Sequence, residues 1–366
     1  MRKPYEIIIW GSGRLGAMGI WEIAQSEALK LVGVRTYSDE KCGVDAGELV
    51  GIEPMGVTIT NDVDALLEID CDCVLYSVLD LGTWHTDEEI FRILAAGKNI
   101  VTMLPYQNAH LFRDKAFLTE LESACEKGGS TFYADGIDPA LINSRILLGL
   151  TGGCSDIKSI KLQENWDAAG LDERTLKHIG LGLKPEVSEQ TESSNALTMN
   201  YTTAVIRTAE DTLGVKYDRI EEVHEFAPTP FDIHEPFFIP AGSVARLSHR
   251  TMGYVDSIGS KPFFTFEANW VVGPDMLPEG VEPGQYYVAT IEGRPSMKMS
   301  LDLRVSNEND ERFHQLGNMS AEPSYVATLA PCLQAIPHVV AAPAGLMPTF
   351  GPSLHWKQDL RDNTTR

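Results

Sequence analysis

The sequence predicts an α/β protein: a doubly wound parallel sheet followed by a second α/β domain built on a mixed open sheet. Three observations lead there. A wholly apolar run, Ile7-Ile8-Ile9-Trp10, is followed at once by glycines at 11, 13 and 16, the context in which a buried parallel strand turns into a helix. Short apolar runs then alternate with helix-compatible segments as far as about Leu150, as parallel βαβ units require. Beyond Gly152 longer runs with partial alternation follow one another, the texture of an antiparallel or mixed sheet.

The opening turn, Gly11-Ser12-Gly13-Arg14-Leu15-Gly16, has G-x-G-x-x-G spacing. Gly11 permits a tight turn, Gly13 lets the backbone approach a pyrophosphate, and Gly16 lets the helix lie close to the strand. The helix over Arg14 to Ser26 then points its free N–H groups and positive dipole end at the phosphates. This is the Rossmann arrangement. Leu29 to Val34 reads as the second strand, ending about 20 residues past the glycines, where such folds recognise the adenosine ribose. NAD-specific sites carry an Asp or Glu there, whereas this chain has Arg35, Thr36, Tyr37 and Ser38, with Lys41 soon after. Hydroxyls and cations suit a 2′-phosphate that a carboxylate would repel, so NADP is preferred. Asp39 and Glu40 keep NAD open.

Val57 to Thr60 and an Asp62-capped helix come next, then a strand over Cys73 to Ser77, a helix over Thr86 to Ala96 ended by Gly97, a strand over Asn99 to Thr102, a helix over Lys115 to Lys127 and a strand over Thr131 to Tyr133. Ligands gather beyond the carboxyl ends of such strands, so Ser77 to Leu79 and Met103-Leu-Pro-Tyr-Gln-Asn are expected at the nicotinamide. Asp138-Pro139 reads as the cap and first turn of a helix reaching about Leu150. Strands are expected over Ile157 to Glu164, Phe263 to Val272, Gln285 to Glu292 and Ser296 to Val305, and a long helix over Asn195 to Leu213. Lys216 to Ile239, rich in Glu, His and Pro, reads as an irregular lid or dimer contact. Pro323 to Ala342 reads as a helix broken at Pro331 and Pro337, and the residues from about Lys357 as frayed. The expected domains are 1–138 for the dinucleotide, 139–322 for substrate binding and dimerisation, and 323–366 packing back on the first.

Composition excludes several classes. Thirty basic against 52 acidic residues give a net charge of −22, which repels nucleic acid and anionic membranes. No apolar run is expected to approach the roughly 20 residues needed to cross a bilayer, and Met1-Arg-Lys-Pro leads straight into the first strand, so a cytoplasmic protein without membrane partners is expected. Six cysteines contain no C-x-x-C pair, so reduced thiols are expected, and no His/Cys cluster has metal-ligand spacing.

The order of the glycine turn, Lys41-Cys-Gly-Val-Asp-Ala-Gly-Glu48, Gly97-Lys-Asn-Ile-Val-Thr102, Gly136-Ile-Asp-Pro139 and Ile291-Glu-Gly-Arg-Pro295 resembles the dihydrodipicolinate reductase-like oxidoreductases. The branch is the one holding 2,4-diaminopentanoate dehydrogenases and NAD(P)-dependent amine dehydrogenases. The resemblance implies a homodimer that moves a hydride between nicotinamide and a C=N or C=O carbon. The glycine turn would hold the pyrophosphate, and Arg35, Thr36, Ser38 and Lys41 would surround the ribose. The amine dehydrogenases carry a glutamate in the loop after Thr102; here Met103 to Asn108 hold no carboxylate.

Hydride transfer belongs to the cofactor, and the protein must orient substrate and move a proton. The candidates are Tyr106 in that loop, and Glu164 and Asp167 near the end of the second domain's first strand, with His178 behind them. His110, His224, His234 and His338 read as structural or surface residues. The expected activity is an NADP-preferring oxidoreductase acting on a small carbonyl, imine or amine. A non-catalytic dinucleotide sensor and an isomerase or lyase that keeps its NAD bound are the other two classes.

Overall fold

The computed structural model describes residues 3–80, 83–171, 173–191, 204–235 and 237–348. Two compact units emerge, one of Met1–Asp80, Trp84–Leu141 and Arg304–Thr349, the other of Ile142–Leu303.

The first unit is a seven-stranded sheet in the order β15-β6-β5-β4-β1-β2-β3, with every pairing parallel. Its strands are β1 (Tyr5–Trp10), β2 (Leu29–Arg35), β3 (Ile59–Thr60), β4 (Cys73–Tyr76), β5 (Asn99–Thr102), β6 (Thr131–Ala134) and β15 (Gly345–Leu346). Alternation along β1 explains why its sequence is apolar throughout. Ile7 and Ile9 enter the core beneath α1 (Arg14–Ala24), while Ile8 and Trp10 enter the opposite core beneath α4 (Asp87–Ala95) and α5 (Lys115–Gly128). Helix ends follow local chemistry. Asp62 accepts from the Ala65 N–H at 3.0 Å to start α3 (Val63–Glu68), Asp114 accepts from the Phe117 N–H at 2.8 Å to start α5, and α5 stops at Gly129 with φ +64°.

Three expectations for this unit need correction. The C-terminal helix α10 runs unbroken over Pro323–Ala341 with Pro331 and Pro337 inside. Each proline removes a backbone donor, but Leu329, Cys332, Ala335, Ile336 and Val339 are buried in the core shared with α1. Burial of several such side chains at about 1.5–3 kcal/mol each offsets the roughly 3 kcal/mol that an interior proline costs. Among the described residues α10 is also long and apolar enough to match a bilayer, though its apolar face lies against the sheet. Finally, the helical stretch after Asp138 is not a plain α-helix: Ile137–Leu147 is a π-type segment with extended dihedrals at Asp138 (φ −138°, ψ 139°), and it runs into the α-helical Leu148–Thr151.

The second unit is a six-stranded mixed sheet in the order β12-β11-β7-β10-β9-β8. It comprises β7 (Asp156–Asp167), β8 (Arg219–Pro228), β9 (Val244–Tyr254), β10 (Phe264–Val271), β11 (Gln285–Arg294) and β12 (Met297–Asp302). Only β7 and β10 run parallel; the other neighbours are antiparallel. Of the long helix expected over Asn195 to Leu213, 204–213 is helical, and the earlier part lies outside the described residues, as does the stretch from Lys357. The segment expected as a lid supplies edge strand β8, paired with β9 through its length.

Candidate functional site: a dinucleotide turn and a carboxylate–histidine row

Two glycines of the opening turn, Gly11 and Gly16, are required by close contacts. Gly11 sits at φ +108°, and a Cβ there would lie 3.0 Å from the Ser77 carbonyl oxygen. At Gly16 a Cβ would fall 1.8 Å from the carbonyl oxygen of Gly11, so only hydrogen fits between helix and strand. Gly13, the first cap of α1, is different: a Cβ there meets nothing within 4 Å. Among the described residues no atom stands in the way of a side chain at Gly13, and a diphosphate would approach the turn from that side. The cap has no side chain to accept the first N–H groups, and the first turn has no acidic residue, which leaves the positive end of α1 for an anion. Ser77 braces the turn, its Oγ donating to the Gly11 carbonyl at 2.8 Å. These residues fit a nicotinamide dinucleotide.

At the end of β2 the Arg35 guanidinium lies 4.4 Å above the Tyr37 ring and donates through Nη1 to the Thr36 carbonyl. The Thr36 hydroxyl accepts the Ser38 N–H at 3.1 Å. Lys41 reaches back, its Nζ donating to the Ser12 carbonyl at 2.7 Å, so it ties the ribose side to the glycine turn. Asp39 accepts from Asn61 at 3.3 Å, and Glu40 is exposed. Glu89 accepts from both the Tyr37 and Tyr76 hydroxyls; desolvation at the hydroxyl, with that carboxylate beside it, pushes Tyr37 above its usual range although the residue is 54% exposed. The structure thus gathers Gly11 to Gly16, Arg35, Thr36, Ser38, Lys41 and Ser77 around one turn.

Of the three proton-transfer candidates, the structure ties Tyr106 and Asp167 into local contacts and sets Glu164 within a sheet. Tyr106 is 1% exposed and packs among Trp84, Phe117 and Phe132. Its hydroxyl donates to Asp87, which Arg113 also holds. Burial, and then the Asp87 carboxylate, raise the Tyr106 pKa far above the tyrosine norm, which makes it a poor proton donor and a packing residue. Asp167 is exposed, and its Oδ1 accepts the N–H groups of Ala169 and Gly273, both at 3.0 Å; it closes two turns. Glu164 is 5% exposed on β7 and accepts the Trp270 indole N–H at 3.4 Å.

Register puts Glu164 in a row that the sequence alone does not reveal. Tyr287, Glu164, Ala268, His249 and His224 stand side by side across five strands. Ala268 offers only a methyl group between the carboxylate and His249. The His249 and His224 Nδ1 atoms are 2.9 Å apart, and Trp270 lies against His249 with ring centroids 6.2 Å apart. Burial, with His224 beside it, lowers the His249 pKa to about 3, so this imidazole is neutral at pH 7. The signal that would have found it is the Leu247-His249-Thr251 alternation of β9, which is hidden because the other face of that strand is polar as well. There Glu267 accepts from Gln163 at 2.8 Å and Arg250 at 2.8 Å. Burial opposes the charge on Glu267, but the Arg250 bond, the Lys161 charge and the Asn269 amide outweigh it and hold the carboxyl down to about 2.

Comparison with known proteins follows the same two-part division. Residues 5–101 match the family described as dihydrodipicolinate reductase, N-terminus, and residues 141–309 match the 2,4-diaminopentanoate dehydrogenase C-terminal domain. The chain thus resembles the dihydrodipicolinate reductases over its first part and the 2,4-diaminopentanoate dehydrogenases over its second. Among curated proteins this chain is 26% identical over 316 residues to an amine dehydrogenase of Streptomyces virginiae, covering 82% of this chain and 86% of that one. It is 22% identical over 359 residues to the 2,4-diaminopentanoate dehydrogenase of Acetoanaerobium sticklandii, covering 94% and 92%. Among solved structures, the amine dehydrogenase of Mycobacterium smegmatis superposes with a TM-score of 0.77 at 18% identity, covering 97% of this chain and 98% of that one. The relatives that the chain resembles over most of its length are named as dehydrogenases.

Proposed function

We propose that the chain is an NADP-preferring oxidoreductase that moves a hydride between nicotinamide and the carbon of a small carbonyl, imine or amine. The observation that carries this reading is the turn at Gly13, where a Cβ ahead of an uncapped helix would meet no described atom within 4 Å. The bound dinucleotide supplies the hydride; binding, orientation and proton movement fall to the chain.

NADP preference rests on Arg35 and Lys41. Two cations and the hydroxyls of Thr36 and Ser38 stand where an NAD site would place a carboxylate. Arg35→Ala is expected to weaken NADPH about 10–100-fold more than NADH, the worth of a charge-assisted hydrogen bond. Paired fluorescence titrations measure it, and equal losses would place the 2′-phosphate elsewhere.

For the substrate, we assign Glu164 to hold the nitrogen. Hydride addition to an iminium carbon yields a neutral amine, which takes up one proton to leave as an ammonium, and a buried carboxylate can orient that nitrogen and pass the proton. The relatives named as amine and diaminopentanoate dehydrogenases support nitrogen over oxygen. Glu164→Gln keeps an acceptor for the Trp270 N–H and removes the charge. We expect turnover of an imine or amine to fall at least about hundredfold, with NADPH affinity unchanged; undiminished turnover would remove Glu164 from the proton path.

A further inference from the structure

The first unit holds a cavity lined by none of the glycine-turn residues, with a volume of about 330 Å³. Its walls are the last turns of α1 and the middle of α10, with Tyr5 and Leu29 at its base and Leu329, Ala330 and Leu333 along one side. The volume falls at the lower end of the range for small-molecule sites. One charged group lines it, Glu22, which is half-buried on α1. Its carboxylate has no hydrogen bond or ion pair with any described residue, unlike the neighbouring Glu6, which takes both Lys3 and Lys30.

We propose that this cavity binds a small organic cation with an apolar body, an alkylammonium whose tail lies along Leu329 and Leu333 and whose head meets Glu22. A half-buried carboxylate among apolar walls carries a desolvation cost that a cation relieves. Burial already raises the Glu22 pKa, the direction expected of a charge lacking its counter-ion. The tail supplies selectivity: at about 25 cal/mol per Å² of buried apolar surface, a six-carbon chain binds well ahead of ammonium itself. That distinction matters because a net charge of −22 draws every cation weakly to the surface.

Calorimetric titration of the full chain with n-hexylammonium, n-hexanol and ammonium chloride tests it. Hexylammonium is expected to bind at one site at least tenfold more tightly than either of the other two. Glu22→Gln should bring hexylammonium down to the level of hexanol, and Ala330→Phe, which fills the cavity, should abolish binding of both. Equal binding of hexylammonium and hexanol by the wild type would overturn the role of Glu22. Hexylammonium binding that survives Ala330→Phe would show that the amine sits elsewhere, at Glu164 or on the surface, and would overturn the cavity assignment while leaving the dehydrogenase reading untouched.

Discussion

Gly13→Val is expected to fold and melt like the wild type while losing at least about hundredfold in affinity for NADPH and NADH alike. The two halves of that result come from one observation. Gly13 has φ −71° and ψ −166°, an extended backbone that any residue adopts, and a Cβ there meets no heavy atom within 4 Å. The folded protein therefore has no reason to reject the side chain. The added methyl groups occupy the volume in front of the α1 terminus, where phosphate oxygens would meet free N–H groups, and a hundredfold loss corresponds to about 3 kcal/mol. Gly16 gives the contrast. Alanine at that position puts a Cβ at 1.8 Å from the Gly11 carbonyl oxygen, so strand and helix must separate and the first unit itself should destabilise. A dye-based melt and a nicotinamide fluorescence titration on both variants separate the two effects. Wild-type binding by a folded Gly13→Val protein would empty the turn of its assigned role.

Acid should unfold the second unit through His249 before it does so through any carboxylate on the same sheet. His249 has a folded pKa of about 3 against an ordinary value of 6.5, so the unfolded chain takes up a proton that the folded one refuses. Its contribution is full above pH 6.5 and is lost as pH falls from 6.5 toward 3, at about 1.4 kcal/mol per pH unit. At pH 4 this amounts to roughly 3 kcal/mol, a large share of an ordinary domain's stability. Glu267 acts lower: its folded pKa of about 2 lies below the ordinary 4.5, so its contribution is present above pH 4.5 and is lost as pH falls through 2. His249→Phe keeps a ring against Trp270 and Phe226 and removes the titrating group. Urea unfolding at pH 7, 5.5 and 4, followed by tryptophan fluorescence, should show the wild type losing stability across the series and the variant losing markedly less. Parallel curves for the two proteins would contradict the buried neutral imidazole.

How far the sequence speaks depends on whether a residue's environment is local. Strand β1 is legible because a central parallel strand is buried on both faces, so its apolar run and the glycines that follow need no partner to be recognised. The caps at Asp62 and Asp114 are equally local. Strands β8 and β9 are hidden for the opposite reason. Their polar residues, buried His249 and half-buried His224 and Arg250, are satisfied across the sheet by one another and by Glu267, and no window of one strand contains its partner. The row joining Glu164 to His249 exists only once the register of five strands is set. Tyr106 is misread by its address: it follows a strand end in a segment that ought to be a surface loop, yet that loop turns inward with Leu104 and Ala109 also buried. The prolines of α10 mislead because tertiary burial outweighs their local cost.

The most direct measurement is a crystal structure of the wild-type chain with NADP⁺ at saturating concentration. The diphosphate is expected over the Ser12 to Leu15 backbone, against the α1 terminus at Gly13, with the 2′-phosphate within hydrogen-bond distance of Arg35 or Lys41. A bare turn at millimolar dinucleotide, or a dinucleotide bound away from Gly13, would contradict the account.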